Sequence, residues 1–141
     1  MLRRINIYQT LIIPNLARHY LSDGGLQLHT PMLKESNYIK IRVSVPVEAA
    51  GKVRQAMGRA GAGIQGNYNY CSGSIKQIGR FKPIAGAHPA IGEIGKLEEV
   101  EEELIETICR KDLAEKVAAE IKKAHPYEEP AIDIMPRYDI V

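Results

Sequence analysis

A chain of 141 residues and 15.7 kDa has the length of one domain, and 45% apolar with 26% charged residues excludes a disordered, collagen-like or coiled-coil protein. No stretch approaches the ~18 uncharged apolar residues of a membrane helix, and two cysteines, Cys71 and Cys109, are too few for a disulfide scaffold or a four-cysteine zinc site, so a reduced, cytoplasmic setting is expected. The net charge of +2 hides a split: residues 1–92 carry twelve Lys/Arg against three Asp/Glu, and residues 93–141 carry seven against fourteen. The basic residues are scattered and lack the aromatic interleaving of a single-strand binder, so the split reads as two halves neutralising each other rather than as a nucleic-acid surface.

Residues 1–36 read as an N-terminal arm or leader. Met1 to Ser22 contains no acid and carries Arg3, Arg4 and Arg18. That is the composition of a transit peptide or of a basic arm packed on the body. A domain is expected over 37–141. Ile39, Ile41, Val43 and Val45 alternate with Lys40, Arg42 and Ser44, the pattern of a half-buried strand ended by Pro46. Ala50, Val53, Met57 and Ala60 then recur at helical spacing over 47–60, and Gly61-Ala62-Gly63 stops the helix.

Asn67 to Cys71 reads as a second strand with large alternating side chains, followed by a ribbon over Ser74–Ile84 and an irregular glycine- and proline-rich loop. The acidic run Glu98–Glu103 reads as a solvated approach to a third strand, Leu104–Cys109. Both cysteines are thus expected on sheet strands, as small hydrophobes. Asp112 with Glu115 reads as a capping box opening a second helix, whose stripe is Leu113, Val117, Ile121 and Ala124. His125-Pro126 closes it. Ala131–Met135 alternates as a last strand, with Pro136 at a strand end or sheet edge.

The order β-α-β-β-α-β predicts an α+β, ferredoxin-like sandwich: an antiparallel sheet in the order 4-1-3-2 with two helices on one face. Lys40 and Arg42 then fall near Glu102, Glu103 or Glu106 across the first and third strands. The sheet's other face, expected to include Tyr68 and Tyr70, is left open, which implies a homo-oligomer.

Four segments carry a resemblance: Gly61-Ala-Gly-Ile-Gln-Gly-Asn-Tyr-Asn-Tyr-Cys71, Gly79-Arg-Phe-Lys-Pro83, Gly92-Glu-Ile-Gly95 and His125-Pro-Tyr-Glu-Glu-Pro130. Together they resemble the domain inserted in the longer Nif-three-like (YqfO-type) proteins, which is related in fold to PII and CutA; the last segment also resembles the matching element of CutA. The resemblance covers about Tyr38 to Arg137 and implies a PII/CutA-like domain and a trimer. In longer family members a separate core surrounds this domain and supplies a dinuclear metal site. The present sequence offers no position onto which those ligands can be carried.

The glycines of 61–66 follow a helix and precede a strand, the reverse of a phosphate loop, so they read as a turn. The candidate ligand-binding residues are Arg80, His88, His125, Tyr127 and Glu128, all on the two irregular segments. His125 with Glu128 is the candidate pair for a divalent metal ion, against a purely structural reading in which His125 caps its helix and Tyr127 anchors the loop. There is no nucleophile elbow and no zinc-protease motif, so a non-enzymatic binding or regulatory module is expected. The alternative is an accessory domain or subunit of a Nif-three-type metal-dependent hydrolase, acting with a separately encoded partner.

Overall fold

The computed structural model describes residues 32–141, with a contact-dense body over Lys34–Asp139. The readings made for residues 1–31, arm or leader, lie outside the described residues. The described residues contain β1 (Leu33–Pro46), α1 (Val47–Ala60), β2 (Gly73–Phe81), β3 (Glu98–Arg110), α2 (Ala114–Ala124) and β4 (Ile132–Ile140). The sheet order β2-β3-β1-β4 is the expected 4-1-3-2 read from the other edge. The fold is a ferredoxin-like α+β sandwich with an antiparallel sheet. β1 begins at Leu33, upstream of the expected domain start at residue 37.

Alternation builds the core. Ile39, Ile41, Val43 and Val45 of β1 and Ile105 and Cys109 of β3 are buried against Val53, Met57 and Ala60 of α1 and Val117 and Ile121 of α2. The antiparallel register pairs Arg42 with Glu106 and Ser44 with Leu104, and on the other side of β3 pairs Gln77 with Glu102. These residues share the face turned away from the helices, because paired residues project to the same side. Glu106 there accepts from Lys40 Nζ at 2.9 Å and Arg42 Nε at 3.0 Å, one of the cross-strand neutralisations the charge split implied.

α1 ends on Gly61, whose φ of 104° lies in the left-handed region, with its N–H on the Gly58 carbonyl. The segment after it is not the strand expected over Asn67–Cys71. Gly63, Gly66 and Tyr70 all have positive φ, which no strand accommodates. The chain folds instead into a compact loop, tied by Cys71 N–H to Gly63 O at 2.9 Å and Thr107 Oγ1 to Cys71 O at 2.6 Å. Tyr68 and Tyr70 are therefore exposed on this loop and not on the open sheet face. Cys71 lies half-buried in the loop, whereas Cys109 is on β3 as expected. The second strand is the segment read as a ribbon, Gly73–Phe81.

The acidic run is also corrected. Glu98–Glu103 lies inside β3, because β2 supplies ladder partners for all of it. The capping box does not form. Lys111–Leu113 make a 3-10 turn, and the N-cap of α2 is Leu113 with no side-chain cap. Asp112 instead takes Arg110, with Nε to Oδ1 at 3.0 Å. A two-point charge-assisted pair outcompetes a single cap hydrogen bond.

Candidate functional site

A cleft of about 400 Å³ opens where the end of β2 meets the α2–β4 connection. Its walls come from Phe81, Pro83 and Ile91, its floor from Ser44 and Glu102, and its far rim from Tyr127, Glu128 and Glu129. The proline-rich connection fixes that rim: His125 takes extended φ/ψ before Pro126, so α2 stops and the chain turns over the strand ends.

His125 organises the turn. The residue is only 7% exposed. Nδ1 accepts from Tyr127 N–H at 3.0 Å, so Nε2 carries the proton and donates to Ser44 O at 2.8 Å. The imidazole is therefore neutral, and burial pushes its pKa below the usual value, against a smaller upward pull from the Ser44 carbonyl. Both ring nitrogens are engaged with backbone, leaving no lone pair for a metal. His125 follows the last turn of α2 as its C-cap residue, but its neutral ring bonds Tyr127 N–H and Ser44 O rather than the helix-end carbonyls. Tyr127 packs beside it, ring centroids 5.0 Å apart, and meets Phe81 edge-on at 5.6 Å.

Tyr127 then reaches across the cleft. Its hydroxyl donates to Glu102 Oε1 at 3.0 Å, while Gln77 Nε2 serves Glu102 Oε2 at 3.1 Å and Ser44 Oγ at 2.9 Å. Burial, and secondarily the bond to Glu102, raises the Tyr127 phenol well above its ordinary pKa, so it remains a donor. Glu102 is 5% exposed. It owes its position to Gly79: a Cβ there would stand 2.4 Å from the carboxylate.

Of the five sequence candidates, Arg80, Tyr127 and Glu128 line the cleft. Arg80 is drawn aside by Glu99 at 2.8 Å. Glu128 accepts from His88 N–H at 3.0 Å and meets His88 Nδ1 at 3.2 Å, which lowers its pKa and ties the two irregular segments together. His88 and His125 are not brought together. Glu128 pairs with His88 and not with His125, so the expected metal pair is not in contact. Among the described residues no group of three or more His, Cys, Asp or Glu is placed to hold a metal. Sequence reading missed Glu102, Gln77, Gly79 and Ser44. The signal was available in part, since any strand through an acidic run turns alternate carboxylates to the same face.

The ferredoxin-like sandwich is a fold shared with CutA. The solved CutA1 of Pyrococcus horikoshii superposes with a TM-score of 0.53 at 24% identity, covering 73% of this chain and 86% of that one. A protein of Bacillus cereus related to NIF3 superposes with a TM-score of 0.62 at 43% identity, covering 77% of this chain and 27% of that one. In sequence, the chain is 49% identical over 124 residues to the GTP cyclohydrolase 1 type 2 homolog of Halalkalibacterium halodurans, matching 88% of this chain and 33% of that protein. The homolog of Bacillus subtilis is 48% identical over 97 residues, or 69% and 26%. No family model matches the chain. The chain is therefore similar over most of its length to a segment of these longer proteins and shares its fold with CutA, and it spans about a quarter to a third of the length of the curated relatives it matches.

Proposed function

We propose that this domain is a non-enzymatic binding or regulatory module that acts as a cytoplasmic homo-oligomer, a trimer, and takes a small charged ligand in the cleft between β2 and the α2–β4 turn. The observation that carries the reading is the cleft itself: a largely apolar, open recess with a buried carboxylate, Glu102, among its polar groups, as in many small-molecule sites. The rim offers Arg80 and Lys82 to an anion. For a divalent ion it offers the His88–Glu128 pair, with further ligands from the ion's own waters or a second copy. Oligomerisation is supported by exposed apolar side chains on the edge strand β2, Ile75 and Ile78.

A second reading has a specific support. The curated relatives are named GTP cyclohydrolase 1 type 2 homolog and are about three times longer than the matched segment. On that reading the domain is an accessory part of a metal-dependent hydrolase whose chemistry lies elsewhere.

The two are separated by titrating the purified chain with zinc ion and with inorganic phosphate, following the backbone amides of Gly79 and Tyr127 by NMR, and assaying GTP turnover in parallel. The module reading expects shifts at those amides without turnover. Metal-dependent GTP hydrolysis, abolished by a mutation within this chain, would overturn it.

A further inference from the structure

Glu99 pairs with Arg80, Glu103 with Arg54, and Glu106 with Lys40 and Arg42. Glu98 and Glu101, without an ion pair among the described residues, are half-buried and exposed, so Glu102 is the one carboxylate of β3 that is buried without a cation. Among the described residues Glu102 is the most buried carboxylate, and it has no cationic partner. Its two donors, Tyr127 Oη and Gln77 Nε2, are both neutral. Removing a carboxylate from water costs several kcal/mol unless a counter-charge or a full set of hydrogen bonds offsets it. Two donors fill only half of the roughly four lone-pair positions of a carboxylate. The group lines the cleft, held by Gly79 beneath and by the Ser44–Gln77 and His125–Tyr127 bonds at its sides.

We propose that the counter-charge is an organic cation, an ammonium or amidinium on a compact apolar frame, which enters the cleft and pairs with Glu102. This rests on the reading of the cleft as the ligand site, and it adds the ligand's chemical class. A planar amidinium suits the arrangement because its parallel N–H groups can meet both carboxylate oxygens, while its frame lies against Phe81, Pro83 and Ile91. A bare metal ion suits it less. Magnesium and calcium want six or more oxygen ligands and zinc about four donors, and no second acidic, His or Cys group joins Glu102 in a three-membered cluster among the described residues.

The test uses benzamidine and its neutral isostere benzamide as probes of the full chain at pH 7, read at the amides of Gly79 and Tyr127. Benzamidine is expected to bind at least about tenfold more tightly than benzamide, a difference of about 1.4 kcal/mol. Glu102→Gln, which keeps the side-chain shape and can retain hydrogen bonds to Tyr127 and Gln77, is expected to erase that preference. Equal binding of the two probes, benzamidine shifts confined to other regions, or a preference that survives in a folded Glu102→Gln protein each overturns the proposal. Should the variant not fold, the benzamidine-to-benzamide ratio of the unmodified chain decides. If benzamidine fails while zinc or phosphate still moves those amides, the cation falls and the binding module stands. If none of the three moves them, both fall.

Discussion

Gly79 and His125 both bear on the Glu102 carboxylate, Gly79 directly and His125 through Tyr127. Adding a methyl at Gly79 places a Cβ where the Glu102 carboxylate now lies. Gly79→Ala is therefore expected to push Glu102 off Gln77 and Tyr127, and to cost about 1–3 kcal/mol as overpacking does; urea denaturation measures the cost and the benzamidine titration the site. His125 gives a pH dependence. Its folded pKa lies below the usual 6.5, so between those two values the unfolded chain binds more protons than the folded one. Stability from this residue is whole above about pH 6.5 and declines as pH falls toward the folded value. Urea midpoints measured from pH 7.5 down to 5.5 should fall. His125→Gln should flatten that decline, and an unchanged slope in the variant would exclude His125 as its source.

At the scale of elements, the helix pair and the loop that follows it make separate predictions. Ile121 of α2 is fully buried against α1 and the sheet. Ile121→Ala should cost about 2–5 kcal/mol, transfer plus cavity. Gly58 tests the loop. In an ordinary helix interior Gly→Ala stabilises by up to about 1 kcal/mol. Here the Tyr70 ring lies 2.0 Å from where the new Cβ would be. Gly58→Ala should therefore destabilise the native chain and become neutral or stabilising in a Tyr70→Gly background. Tyr70→Gly also relieves a left-handed φ of 60° that costs a side-chain-bearing residue about 1–2 kcal/mol. A double-mutant cycle by chemical denaturation measures the coupling, and an additive pair would mean that the ring does not hold this position in solution.

At the scale of the whole molecule, the described residues leave one sheet face without helices and β2 without an outer neighbour. Ile75, 61% exposed, lies on the helix-free face of that edge strand, and Ile78 lies on its opposite face with Lys76. An edge of this kind is either guarded by charge or covered by another chain. Light scattering at micromolar concentration is expected to give three times the chain mass of 15.7 kDa. Ile75→Glu should lower that mass toward one copy while leaving the circular dichroism spectrum intact. A monomeric native chain removes the trimer from the proposal.

Sequence alone determined the order of elements, the sheet topology and most of the core. Those properties follow from periodicity within a few residues: alternation at Ile39–Val45, and helical spacing through Val53 and Met57 and again through Val117 and Ile121. The motifs at 79–83 and 125–130 also marked the two segments that meet at the cleft. Tertiary structure decided the rest, because the deciding contacts are far apart in sequence. Tyr127 reaches Glu102 across 25 residues and His125 reaches Ser44 across 81. Those bonds turn a histidine that reads as a metal candidate into a neutral brace for the turn. Pairing with β2 turns a solvated-looking acidic run into a strand, and so buries Glu102 while Glu99 and Glu103 find cations. Local pattern gives a residue its face; only the assembled fold gives it a partner, and for Glu102 the fold supplies two neutral donors and an open cleft.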